Sequence, residues 1–231
     1  MKWKNEGITD VFFDLDHTLW DFEKNSKLTY AKIFKDNSLE LNLEDFLKVY
    51  VPINFKLWEM YSKDEISKED LRYERLKSTF DAMALNISND QIFKLSEEYI
   101  KYLTTFNHLF SDSIETLDYL SPKYKLHIIT NGFAEVQQGK LENSNIAHYF
   151  EVVMNSELAG VKKPNPLIFE KAMGMAKVKP QNALMIGDSY EADFLGAQSV
   201  GMHALLYGST NDCYNVNTPV IKELKQIKEY I

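Results

Sequence analysis

A single cysteine, Cys213, stands among 231 residues, which excludes an internal disulfide framework and any zinc site built on cysteines. Arginine is nearly missing too. Arg72 and Arg75 are the only two, and 26 basic residues face 34 acidic ones for a net charge of −8. A chain this acidic lacks the clustered cations that neutralise a nucleic-acid backbone, although a small phosphorylated substrate needs only a few local donors. No stretch approaches the roughly 20 apolar residues that cross a bilayer, and the first seven residues lack the apolar segment of a signal peptide. Internal repeats, low-complexity tracts and glycine- or serine-rich linkers are also missing. The expectation is a cytoplasmic globular protein without nucleic-acid or membrane partners, a monomer or a weak homodimer. The bulk composition agrees, with 45% hydrophobic and 26% charged residues in ordinary globular proportion.

Two textures alternate along what is there. Short apolar, β-rich runs occur at 8–13, 125–129, 150–154, 183–186 and 203–207. Most are apolar on both faces, as strands of a parallel sheet covered on both sides should be. Helical patterns separate the last four. Asp112 is placed as the cap of a helix with Ile114, Leu117 and Leu120 on one face, and Pro166 opens another carrying Ile168, Phe169, Ala172 and Met173. Thr218 and Pro219 are expected to start a last helix, with Val220, Leu224, Ile227 and Ile231 spaced by four, three and four. Strand alternating with helix means a doubly wound α/β sheet. From about 18 to 110 the texture is helical instead. Leu43, Phe46, Leu47 and Tyr50 form one stripe and Ile92, Leu95, Tyr99 and Tyr102 another, with Asn42 and Asn89 as N-caps. An insertion of roughly ninety residues is too long for a loop. The expected division is a catalytic core of 1–17 with 109–231, and a helical domain of 18–108.

Four short motifs sit at strand ends or beside them, the edge where open α/β sheets bind ligands. Asp14-Leu15-Asp16-His17-Thr18 follows the first strand. Residues i and i+2 of an extended segment point the same way, so two carboxylates meet there and repel unless a cation neutralises them or one is protonated. Hard oxygen donors beside a phosphate suit Mg²⁺; a turn carrying two solvated acids is the plainer alternative. Thr130-Asn131-Gly132-Phe133 ends the second strand. It is a turn by composition, and by function a set of hydroxyl, amide and N–H donors for phosphate oxygens. Lys162-Lys163-Pro164-Asn165-Pro166 precedes a helix and offers a compensating cation, assigned to Lys163 because it adjoins the proline. Gly187-Asp188-Ser189 with Asp193 follows the fourth strand, and its acids either charge a helix start or complete a metal shell.

Taken in order, these motifs resemble those of the haloacid dehalogenase-like hydrolases. Asp14-Leu15-Asp16-His17-Thr18-Leu19-Trp20-Asp21-Phe22, Thr130-Asn131-Gly132-Phe133 and Lys163-Pro164-Asn165-Pro166-Leu167-Ile168-Phe169 are similar more narrowly to the bacterial pyrimidine 5′-nucleotidase branch. The resemblance implies a Rossmann-like parallel sheet with an inserted all-helical cap. It also implies a Mg²⁺-dependent phosphatase for a small phosphorylated metabolite, a pyrimidine nucleoside monophosphate in the narrower match. Asp14 would be the nucleophile that becomes an aspartyl-phosphate, and Asp16 the general acid and base. Thr130, Asn131, Gly132 and Lys163 would bind the phosphoryl group. Asp14, the Asp16 backbone carbonyl, Asp188 and Asp193 would hold the metal. The alternative within the family is a phosphatase for phosphoglycolate or a sugar phosphate. Carbon–halogen cleavage is disfavoured, because the metal-free dehalogenases lack a second aspartate and Asp16 is present. A catalytically dead scaffold would have lost a motif residue, and none is lost.

Other eye-catching residues are assigned to packing or loops. His17 is a loop residue, and His108, His127, His148 and His203 lack metal-ligand spacing. Trp58 and Tyr61 belong to helix packing. Trp20, Phe22 and Phe133 adjoin the motifs and are packing residues first, with a platform for a substrate base as the functional alternative. Cys213 is a bystander.

Overall fold

The computed structural model describes residue 3, residues 6–208 and residues 218–231, so Cys213 lies outside the described residues. Six strands form one parallel sheet: β1 (Asp10–Phe13), β2 (Lys125–Thr130), β3 (Phe150–Asn155), β4 (Ala183–Gly187), β5 (His203–Tyr207) and β6 (Val220–Ile221). Their order is β3-β2-β1-β4-β5-β6. All of β1 and β4 is buried, which is why these strands carry apolar side chains on both faces instead of alternating. The chain winds one way from β1 to β2 and β3 and the other way from β1 to β4, β5 and β6. In such a sheet the crevice opens at the carboxyl ends of the strands where the order reverses. Phe13 is in register with Ile128 of β2 and with Ile186 of β4, so the three motif-bearing strands end side by side.

The chain divides into two compact units, Met1–Phe22 with Asn107–Ile231, and Glu23–Phe106. The second unit is helical, comprising α1 (Phe22–Asp36) beyond its first residue, α2 (Leu43–Ser62), α3 (Lys68–Ala82) and α4 (Asn89–Leu103). Asn42 caps α2, accepting from the Asp45 N–H, and Ser67 and Asp70 form a reciprocal capping box on α3. Ser88, one residue ahead of the expected Asn89, caps α4. The interior is aromatic. Tyr30, Phe46, Tyr50, Phe80 and Tyr99 are all buried, and the Arg75 guanidinium lies 4.5 Å from the Tyr99 ring centre. Burial lowers the Arg75 pKa, but the surrounding tyrosines more than offset it and hold it above the ordinary arginine range.

The sheet-bearing unit carries α5 (Ser113–Leu120), α6 (Ala134–Asn143), α7 (Ser156–Ala159), α8 (Pro166–Ala176), a π-helical segment at Tyr190–Leu195 and α9 (Gly196–Ser199). Asn165 caps α8 and Pro166 opens it, and its inward face packs Ile168, Phe169, Ala172 and Met173 with Phe12, Ile129 and Met185 of the sheet. Each such side chain removed from water contributes about 1.5–3 kcal/mol before chain entropy is set against it. Asp112 makes no side-chain cap on α5, and Ile114 is 41% exposed; Ser113, Thr116, Leu117 and Leu120 form the buried face instead.

The expected last helix is not formed. Val220 and Ile221 add β6 to the free edge of β5, where the Leu206 and Gly208 N–H groups donate to the carbonyls of Pro219 and Ile221. Only Leu224–Glu229 turns helically, as a 3-10 segment burying Leu224 and Ile227. The four-three-four spacing does place Leu224, Ile227 and Ile231 in the core. An open sheet edge, with its row of unpaired backbone groups, claimed the residues before them.

Candidate active site

Asp14 is the first residue beyond β1. Its N–H continues the ladder, donating to the Ile186 carbonyl at 2.8 Å, which fixes the backbone at the sheet's edge. The chain then turns at once: the N–H groups of Thr18, Leu19 and Trp20 all donate to the Leu15 carbonyl. His17 takes the left-handed φ of 64° that this turn requires, so it is a loop residue as its sequence context suggests. Leu15, Leu19 and Trp20 are buried beneath the turn, anchoring the segment that carries Asp14 and Asp16.

The two aspartates are held by different lysines. Lys163 is buried, and its Nζ donates to Asp14 Oδ1 at 2.6 Å, Asp193 Oδ1 at 2.6 Å and the Ile129 carbonyl at 2.8 Å. Lys140 Nζ donates to Asp16 Oδ1 and Oδ2, both at 2.7 Å. Asp14, Asp188 and Asp193 offer carboxylate oxygens that all lie within 4.8 Å of one another. The Asp16 carboxylate is not part of that trio. Thr18 Oγ1 adds a bond to Asp188 Oδ1 at 3.4 Å.

Three carboxylates against one ammonium leave this cluster short of positive charge. Burial pushes the Asp14 carboxyl up; Lys163 pulls it back and Asp193 and Asp188 push it further, to about 8. Asp188 is raised to about 7, by burial first and the Asp193 charge second. For Lys163, burial alone would lower the pKa, but the Asp14 and Asp193 charges override it and hold the ammonium above the ordinary lysine range. An oxygen-only donor set with surplus negative charge, two of its carboxylates buried and the Asp188 one half-buried, fits a hard divalent cation such as Mg²⁺. Asp14, Asp188 and Asp193 are the side chains that fit it.

The phosphate-binding candidates fall into two kinds. Thr130 is buried at the end of β2, and its hydroxyl oxygen accepts from the Gly132 N–H at 3.0 Å, which leaves the O–H itself as a donor. Asn131 has its side chain engaged with the backbone of Lys163: Nδ2 donates to the Lys163 carbonyl at 3.0 Å and Oδ1 accepts from its N–H at 2.7 Å. The amide thus fastens the second motif to the third and places the Lys163 ammonium. Lys162 is only half-buried, whereas Lys163 is 2% exposed.

Two glycines permit these approaches. A Cβ on Gly187 would lie 2.2 Å from Asp193 Oδ2, and one on Gly132 would lie 1.7 Å from Gln137 Nε2. Gly187→Ala is therefore expected to displace the Asp193 carboxylate and to cost about 1–3 kcal/mol of stability. Urea denaturation measures the second effect directly, and a midpoint equal to that of the unchanged protein would mean that Asp193 is not held where its contacts place it.

Sequence reasoning missed Lys140 and Gln137. Neither belongs to a motif, but both lie on the buried stripe of α6 with Val136 and Leu141. A lysine at an inward helical position was the available signal.

The haloacid dehalogenase-like hydrolase family model matches residues 11–207. Pyrimidine 5′-nucleotidase PynA of Streptococcus pneumoniae is 33% identical over 202 residues, covering 85% of this chain and 82% of that protein. A glyceraldehyde 3-phosphate phosphatase of Methanothermobacter thermautotrophicus is 28% identical over 234 residues, covering 96% and 98%. Among solved structures, the magnesium-bound HAD-hydrolase YfnB of Bacillus subtilis superposes with a TM-score of 0.86 at 23% identity, over 96% of this chain and 97% of that one. That likeness supports the fold.

Proposed function

Because the chain belongs to the haloacid dehalogenase-like hydrolase family, we propose that it is a phosphatase that cleaves phosphate monoesters through a phosphorylated Asp14, and that its substrates are pyrimidine nucleoside monophosphates. The observation that carries the first part is the Asp14 carboxylate at the carboxyl edge of the sheet, bound to Lys163 and grouped with Asp188 and Asp193.

In the first step an Asp14 oxygen attacks phosphorus, the phosphorus–ester oxygen bond breaks, and Asp16 gives its proton to the departing alkoxide. In the second, Asp16 takes a proton from water as that water attacks the aspartyl-phosphate, which releases inorganic phosphate and restores Asp14. The Thr130 hydroxyl, held by the Gly132 N–H, and the Asn131 backbone N–H bind phosphoryl oxygens. The Lys163 ammonium, anchored on Asp14, Asp193 and the Ile129 carbonyl, lends its charge beside them and favours the charge spread of the transition state. When bound by Asp14, the Asp16 carbonyl and Asp188, with Asp193 in support, Mg²⁺ supplies the positive charge that lets an anionic nucleophile meet a phosphate dianion.

Substrate class rests on the 33% identity to a pyrimidine 5′-nucleotidase and on the motif resemblance. Trp20, Phe22 and Phe133 lend it no support as stacking platforms, since they are 0%, 8% and 2% exposed. UMP, dUMP and dTMP are expected to exceed phosphoglycolate, hexose phosphates and glyceraldehyde 3-phosphate in kcat/KM by about tenfold or more, one decade per 1.4 kcal/mol. Phosphate release across that panel decides it. A tenfold lead for any sugar phosphate, for phosphoglycolate or for glyceraldehyde 3-phosphate would assign the enzyme to the sister phosphatases. The similarity to glyceraldehyde 3-phosphate phosphatases favours that second reading.

A further inference from the structure

We propose that Lys140 is the positioning residue for Asp16: it fixes the carboxylate in the orientation from which a proton passes to the leaving group. The inference rests on the phosphatase reading of Asp16 and adds a residue outside the four motifs.

Lys140 is 1% exposed, and an ammonium is not buried without strong compensation. The compensation is specific. Both Asp16 oxygens accept from the one Nζ, each at 2.7 Å, and the Trp20 and Phe22 ring centres lie 4.5 and 5.5 Å from that nitrogen. A cation over aromatic faces is stabilised by their quadrupoles, so the turn carrying the first motif supplies the cradle as well as the carboxylate. Gln137, one helical turn earlier, places Nε2 3.5 Å from Asp16 Oδ2, through space that a Gly132 side chain would fill. The Asp16 side chain keeps 19% exposure against 2% for Lys140. The carboxylate is gripped on its buried side and open on the other. An acid–base group loses effectiveness steeply when its geometry loosens by even an ångström, and a carboxylate on a short turn has two free torsions without such a grip.

The test separates positioning from general structural support. A p-nitrophenolate leaves without protonation, whereas the alkoxide of a nucleotide or sugar phosphate needs it, and kcat/KM reports events only up to departure of the leaving group. Lys140→Met is expected to lower kcat/KM for the best alkyl phosphate by about 10²–10⁴-fold, the range general acid catalysis supplies. The loss for p-nitrophenyl phosphate is expected to stay under about tenfold, and Lys140→Arg is expected to recover part of the alkyl-phosphate loss. Near-UV circular dichroism identifies which variants keep the native packing. Should Lys140→Met not fold, Lys140→Gln and Lys140→Arg must show the same dependence on leaving group. Equal losses on both substrates, or none on either, from a folded variant of an active enzyme overturn the role of Lys140 alone. An unchanged protein that releases no phosphate from any substrate with Mg²⁺ present overturns the phosphatase reading and this inference with it.

Discussion

Asp14→Asn is expected to remove turnover, with a loss on the order of 10⁶-fold as for other covalent nucleophiles, while the protein stays folded. An amide matches the carboxylate in shape but does not attack phosphorus. Folding should survive for an electrostatic reason. Asp14 is grouped with Asp188 and Asp193, and among the described residues Lys163 is the cation paired with Asp14 and Asp193. Burial pushes its carboxyl up to about 8, so its charged form is a burden on the metal-free fold. Removing it leaves Lys163 paired with Asp193 and relieves repulsion. The thermal midpoint of the variant in chelator is therefore expected to equal or exceed that of the unchanged protein at pH 8. Wild-type rates of phosphate release from the folded variant would eliminate Asp14 as the nucleophile.

Chelation by EDTA is expected to lower phosphate release by roughly 10³-fold or more, equivalent to the several kcal/mol of charge stabilisation a bound cation supplies, and added Mg²⁺ should restore it. The same cluster predicts a pH dependence whose sign is fixed. Asp14 and Asp188 have folded pKa values raised to about 8 and about 7 from 3.8. Their contribution to metal-free stability is fully present below the unfolded value and is lost as pH rises through the folded ones. A cation competes with those protons, so the Mg²⁺ concentration for half-maximal activity should fall from pH 6 to pH 8.5. Mg²⁺ should also raise the thermal midpoint more at the higher pH. Full turnover in metal-free buffer would contradict this and reopen metal-free chemistry for the fold.

The sheet was legible because buried parallel strands leave continuous apolar runs, and five of the six were found at nearly their observed bounds. β6 was not, because two residues recruited to a sheet edge carry no periodicity of their own. The motifs pick out Asp14, Asp188, Asp193 and Lys163 as a group, and these side chains do lie together, because the parallel register sets the ends of β1, β2 and β4 side by side. What the motifs concealed was partnership. Asn131 looks in sequence like a donor aimed at a ligand, yet its amide is engaged with the Lys163 backbone. Trp20 and Phe22 read in sequence as packing residues, with a base platform as the alternative, and what they pack against is a buried lysine. Lys140 itself, 124 residues from Asp16, has no local signature beyond its place on an inward helical stripe. Long-range pairing of polar groups is decided by packing, and packing is what a single sequence conceals.

The proposed covalent role of Asp14 is tested most directly by trapping. The enzyme is quenched in acid during turnover of its best phosphate monoester with Mg²⁺ present, and the acyl phosphate is reduced with borotritide, which converts a phosphorylated aspartate to homoserine. Peptide mapping is expected to place the tritium at position 14, and Asp14→Asn is expected to carry none. Label at another residue, or an active enzyme that takes up none at any point in turnover, would contradict the aspartyl-phosphate mechanism.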